Sequence, residues 1–206
     1  MKGLLLKDWY MTLKYGRIML VFSFGYMAIG LFLEEFSAFT TLPVMLMGLL
    51  PHSMLAYDER EKWTDYVRAL PVSDAQYVTE KYLYGAICLA VYFAVLTVVN
   101  LISPMEGFAE LFAILFAAGM VMPSLLMPFM FRFGTEKGRL AYIIVFASML
   151  SAMVTLAKLN FVGNGSVTAE RLGLPGWTLY PIAVALYVLS WRLSVVLYRS
   201  RKNSGK

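Results

Sequence analysis

Residues 82–103 read YLYGAICLAVYFAVLTVVNLIS, a run with no charged side chain. A helix needs about 20 mostly apolar residues to cross the hydrocarbon core of a bilayer. Lipid supplies no partners for backbone N–H and C=O groups, so a run of this kind must bond to itself as a helix. Working outward from it, five further segments qualify or nearly so, at about 16–33, 36–57, 107–131, 140–161 and 177–198. The expected fold is an all-α membrane protein with six transmembrane helices, one domain over 1–206. The first segment is short and the fourth long, so tilt or kinking must differ among them.

Composition points the same way. Of 206 residues, 60% are hydrophobic and 15% charged, with mean hydropathy +0.67. A soluble domain carries about a quarter charged residues. The single cysteine, Cys88, lies inside an apolar run and has no intrachain partner for a disulfide. One Cys and one His do not assemble a metal cluster. No small-residue cleavage pattern follows the first apolar run before Glu34-Glu35, so that run reads as a retained span rather than a signal peptide.

Lys and Arg accumulate in cytoplasmic loops, which orients the chain. With both termini inside, sixteen of the 18 basic residues fall on the inner side, and only Lys158 and Arg171 on the outer. Glu34, Glu35, Glu106, Glu110 and Glu170 fall on or near the outer side. The net charge of +5 is spread over four inner segments, which marks membrane orientation and not a nucleic-acid footprint.

Two segments outside the spans carry pattern. Over 2–15, Leu5, Leu6, Trp9, Tyr10 and Leu13 share one helical face, with Lys7, Asp8 and Lys14 opposite. An amphipathic helix lying in the interface plane is expected there; the alternative is a plain start to the first span. In the loop 58–81, Trp63, Tyr66, Val67 and Leu70 fall at i, i+3, i+4 and i+7, one apolar stripe on a helix over 59–70. Pro71 stops that helix. Ser73-Asp74-Ala75-Gln76 then reads as a capping box that starts a new helix running into the third span. The loop is thus a helix-turn-helix lever with an apolar stripe; the bland alternative packs the stripe on headgroups or on the protein's own spans.

A tyrosine and acids ending the second span, then Lys62-Trp63-x-x-Tyr66, Leu70-Pro71-Val72-Ser73 and Lys81-Tyr82-Leu83, resemble the small type-2 permease subunits of bacterial ABC exporters. The order of six spans after an amphipathic helix is similar over the whole chain, while the motifs cover about residues 57–83. The members it resembles most are linked to export of amphipathic peptides such as phenol-soluble modulins, and to antimicrobial-peptide resistance. The resemblance implies a multi-pass protein of the bacterial cytoplasmic membrane that works as a dimer with a second copy or a paralogue. It implies that Trp63, Tyr66, Val67, Leu70, Pro71 and Ser73 couple to a cleft of a separate cytosolic ATPase, where ATP and Mg would be bound.

This chain has no Gly-x-x-x-x-Gly-Lys-Ser/Thr phosphate loop. Gly134-Thr135-Glu136-Lys137-Gly138 lacks the spacing and reads as a short turn. No enzymatic constellation is expected: Ser23, Ser53 and Ser124 have no base at helical spacing, and His52 has no acidic partner in view. Glu110 and Lys158 lie near outer span ends, where both can snorkel or pair. Pro43 and Pro51 interrupt the second span and Pro123 and Pro128 the fourth, each a hinge or a simple curve. Ala86, Ala90 and Ala94 recur every fourth residue on the third span, a spacing that lets helices approach closely, within the chain or against another subunit. The function expected is the transmembrane subunit of an ATP-driven exporter. The competing readings are a peptide-binding or immunity protein without turnover, and an ion-coupled carrier or an intramembrane enzyme, which the charge-free span centres disfavour.

Overall fold

The computed structural model describes residues 2–32, 36–69, 71–104, 107–162 and 176–204. Helix α1 (Lys2–Met11) passes through a π-helical turn (Thr12–Gly16) into α2 (Arg17–Phe32). Then come α3 (Phe36–Arg60), the short α4 (Trp63–Ala69), α5 (Asp74–Ile102), α6 (Phe108–Val162), a 3₁₀ turn (Gly176–Thr178) and α7 (Leu179–Ser204). Among the described residues five helical stretches are long and apolar enough to cross a membrane: Lys2–Phe32, Phe39–Arg60, Asp74–Ile102, Phe108–Gly134 and Leu179–Arg201. The expected span 140–161 falls on the later part of α6, whose backbone is helical through Val162. Glu34, Glu35, Glu106, Glu170 and Arg171 lie outside the described residues.

Three expectations are corrected. The helix expected over 2–15 is not a separate interfacial element, because α1 runs on into α2 through the π turn. Its faces also do not sort by polarity: Leu4, Asp8, Thr12 and Gly16, at i+4 spacing, are buried and Leu5 is half-buried, whereas Leu6, Trp9, Tyr10, Leu13 and Lys14 face outward. Apolar and aromatic side chains lose nothing by facing lipid, so the bundle is free to take the stripe that carries Asp8 and Thr12 instead. The second correction is the turn at 134–138. The chain bends at one residue, Gly134, with φ 81° and ψ 172°, and is helical on both sides. Only glycine takes that backbone geometry readily, and a Cβ there would meet the Arg201 guanidinium at 2.9 Å. The third is the helix over 59–70, treated below.

The core sits where α3 and α5 cross. Val44, Met47, Leu50 and Met54 of α3 pack with Tyr84, Cys88, Leu89, Tyr92, Phe93 and Leu96 of α5. Glycine sets the closest approaches: a Cβ on Gly85 would lie 2.9 Å from Pro51 Cγ and 3.3 Å from Tyr187 Oη. Gly48 and Gly119 make a second close contact, where a Cβ on Gly48 would meet the Gly119 carbonyl oxygen at 3.2 Å. Small residues do pack helices here, but not the alanines of the third span: Ala86 is half-buried, and Ala90 and Ala94 face outward. Helices α3 and α6 continue through all four prolines. His52 is buried within α3.

A second core lies toward the end of the bundle that carries Lys7, Arg60, Lys62, Arg132 and Arg201, here called the basic end. There Leu55, Val67, Tyr77, Val78, Tyr82, Met127, Phe131 and Tyr198 pack together, with Trp63, Val72 and Trp191 against them.

Candidate functional site

The loop between α3 and α5 does not form one helix over 59–70. Glu61 and Lys62 make a turn, with Lys62 at φ 56°, so Asp58, Glu59 and Arg60 finish α3 and α4 begins afresh at Trp63. The turn is closed by Lys62 N–H donating to the Glu59 carbonyl at 3.1 Å. A non-glycine residue in the left-handed region breaks the helix there, and the continuous α4 that follows is seated so that its apolar stripe is shared between the core and the surface. Val67 is 4% exposed and belongs to the second core, whereas Tyr66 is 58% exposed. Trp63 is half-buried, its ring 5.2 Å from that of Tyr66, with Lys7 Nζ 4.7 Å above its centroid. Leu70 lies outside the described residues. Pro71 and Ser73 are exposed.

The capping box forms in full. The Gln76 N–H donates to Ser73 Oγ at 3.2 Å, and the Ser73 N–H donates to Gln76 Oε1 at 3.0 Å. It starts α5 with Tyr77, Glu80, Lys81 and Tyr82 turned into the bundle.

Beneath α4 lies an ionic ring that sequence reasoning missed. Lys81 Nζ of α5 is 2.6 Å from Asp8 Oδ2 of α1 and 2.7 Å from Asp58 Oδ2 of α3. Lys7 Nζ closes the ring, 2.6 Å from Asp58 Oδ1 and 3.1 Å from Asp8 Oδ1. Charges therefore alternate around Lys7, Asp58, Lys81 and Asp8. The last three are at most 1% exposed and Lys7 is 19% exposed. Tyr77 Oη donates to Asp58 Oδ2 at 3.2 Å. Glu80 is buried beside the ring, Oε2 3.6 Å from Lys81 Nζ. Charges buried this deeply persist only when paired and hydrogen-bonded; removing one partner from such a set costs about 3–5 kcal/mol. Lys7 and Asp8 were read as a solvated face and Lys81 as an orientation signal. The one local clue is that opposite charges stand together at 7–8 and 80–81, next to apolar runs.

A neutral network lies on the other side of α5. Tyr82 Oη is 2.7 Å from both Ser190 Oγ and Ser194 Oγ of α7, and Ser190 Oγ donates to the Ser124 carbonyl of α6 at 2.6 Å. Tyr187 Oη donates to the Tyr82 carbonyl at 2.7 Å, and Trp191 Nε1 to Thr79 Oγ1 at 3.0 Å. Arg201 of α7 pairs with Glu59 at the end of α3 at 2.7 Å. Among the described residues no group of three or more His, Cys, Asp or Glu side chains could hold a metal ion. The arrangement fixes α4 to α1, α3 and α5 together and leaves Tyr66 standing out from the surface. A family model described as ABC-2 family transporter protein matches residues 3–199. No curated protein and no solved structure matches the chain.

Proposed function

The chain belongs to the ABC-2 family of transporter proteins, as a permease subunit of an ABC transporter, and on that premise we propose that it exports amphipathic peptides at the expense of ATP hydrolysed by a partner. The working unit in this reading is two permease copies, or one copy and a paralogue, with two ATPase subunits. Each permease crosses the membrane six times, the fifth crossing in chain order being the part of α6 after Gly134. Both termini are cytoplasmic, as the distribution of sixteen basic residues on one side supports. The peptide substrate rests on the resemblance of the motifs around Trp63, Pro71 and Lys81.

The observation that carries the coupling role is the two-sided seating of α4. Val67 anchors the helix in the protein's own core while Tyr66, 58% exposed, faces away from it. A helix held on one side by packing, and tied through the Lys7–Trp63 contact to an ionic ring, transmits a push to three spans at once. Tyr66 is then the anchor offered to an ATPase cleft. Interface anchors of this kind cost about 2 kcal/mol or more on truncation. Tyr66→Ala should lower the ATPase recovered per permease about 30-fold at limiting concentration, with permease expression and thermal stability unchanged. Substrate-stimulated hydrolysis should fall with it. Undiminished ATPase recovery from the variant would make α4 a headgroup contact only.

A further inference from the structure

The π-helical turn does more than join α1 to α2. It accommodates an extra residue, and such turns in helices frequently mark functional sites. Here it sets Tyr15 against Tyr57 of α3, rings stacked with centroids 4.9 Å apart and planes 24° apart. Gly16 brings the turn's backbone onto α3, where a Cβ would already touch Leu50 Cδ2 at 3.4 Å. Below the tyrosine pair a pocket of about 540 Å³ opens between α2 and α3, lined in its interior by Met19, Met54 and Ser53 and at its rim by Arg60. Its size is that of a small-ligand site, about 300–1,000 Å³.

The lining sorts by depth. The interior is thioether and aliphatic surface, which adapts its shape to a flexible chain. The Ser53 hydroxyl is engaged with the Leu49 carbonyl at 3.2 Å, so the interior asks for no polar partner. The tyrosine pair lines the pocket together with Arg60, and aromatic side chains favour the level between hydrocarbon and headgroups. The rim is cationic. Asp58 is held by Lys7 and Lys81, and Glu59 by Arg201. Among the described side chains Arg60 is the one charged group lining the pocket, and its sequence neighbours Glu61 and Lys62 are exposed, as are Lys14 and Arg17 beside the π turn. Lys14 lies over the Tyr15 ring, 5.1 Å from its centroid.

We propose that this pocket is a binding site for an anionic phospholipid of the leaflet at the basic end, with the phosphate on Arg60 and an acyl chain along Met19 and Met54. A net negative headgroup satisfies the rim, and the apolar interior excludes a phosphate ion without a tail. The lipid would wedge the α2–α3 pair at the foot of which α4 is attached. The inference is independent of the transported substrate.

The test uses the full chain, delipidated in detergent and given equal amounts of phosphatidylglycerol and phosphatidylcholine with the same acyl chains. Retained lipid is read by native mass spectrometry. Wild type should retain phosphatidylglycerol about fivefold over phosphatidylcholine, the order expected for one basic residue acting on an anionic headgroup. Arg60→Gln should remove that preference and leave phosphatidylcholine retention as it was. Met54→Trp, which fills the interior, should lower retention of both. Arg132→Gln, an exposed charge at the same end on α6, should change neither, and millimolar inorganic phosphate should not displace the lipid. Equal retention of the two lipids by wild type overturns the proposal. So does an equal loss from Arg60→Gln and Arg132→Gln, which would indicate general surface charge. Displacement by inorganic phosphate overturns it as well, by identifying a site for the ion. Variants are compared at matched elution volume and helical circular dichroism, so a misfolded variant is replaced by Arg60→Lys, which should keep most of the preference.

Discussion

Lys81 and Tyr82 are neighbours in sequence, yet they anchor two different kinds of joint. Lys81 reaches Asp8 and Asp58 and ties α5 to α1 and α3 through full charges. Tyr82 reaches Ser190 and Ser194 and ties α5 to α7 through neutral hydroxyls. The charged joint stands against the loop that carries α4. The neutral one serves the scaffold formed by α5, α6 and α7. The physical difference is what happens when each joint is broken. A neutral hydroxyl left alone strands one polar group, and its neighbours can rotate to new partners. A charge removed from a closed ring strands two opposite charges in a place water does not reach. The ionic joint is therefore close to all-or-none, a property suited to the part of the molecule that takes a mechanical load.

The largest effect is expected at the centre of the ring. Lys81→Met should destabilise the permease by about 3–5 kcal/mol, because Asp8 and Asp58 are left facing one another with Lys7 alone. Thermal unfolding in detergent measures this. Adding Asp8→Asn to Lys81→Met should return part of the loss, since it removes one of the stranded charges; a double variant no better than the single would mean that the ring is not one unit. On the neutral side, Tyr82→Phe should cost about 1–2 kcal/mol in the same assay, because two serine hydroxyls lose a shared partner. If Tyr82→Phe proved as damaging as Lys81→Met, the contrast between the joints would fail. The smallest effect is expected at the start of the helix both joints share. Ser73→Ala removes the cap of α5 and should cost about 1 kcal/mol. It should raise amide hydrogen exchange in the first turn of α5, near Tyr77, and leave exchange around Tyr82 unchanged. Exchange that rises equally at both places would show that the two joints do not divide α5.

Legibility follows the range of the interactions. The run 82–103 and the capping box at Ser73 were readable because a span and a cap are each written in consecutive residues. The ionic ring was not, because Lys7 meets Asp58 across 51 positions and Lys81 meets Asp8 across 73. Helical periodicity identified the two faces of residues 2–15 but not which face the bundle takes. In water the apolar face goes inward; beside lipid that rule lapses, and Asp8 went inward instead. The stripe Trp63, Tyr66, Val67 and Leu70 is drawn on a helix begun at 59, and nothing in the residues Glu61-Lys62 announces the left-handed turn that starts α4 afresh at Trp63; nor does periodicity tell that α4 buries Val67 and exposes Tyr66. Ala86, Ala90 and Ala94 mark a helix-packing face by their spacing alone, but the close approaches inside the chain are at Gly48, Gly85 and Gly119.

The π turn at Thr12–Gly16 has a consequence for how the N-terminal segment is encoded. Each residue of an α-helix advances the azimuth by about 100°. A π turn, bonded i→i+5, fits one more residue into nearly the same rotation. It therefore absorbs that residue and holds the ionic face of α1 in phase with α2. Were the same five residues wound as regular α, everything before them would swing by close to 100° around the axis, and Asp8 would point away from Lys81. The winding of those five residues is thus as much a specification of the ring as the identity of its charges.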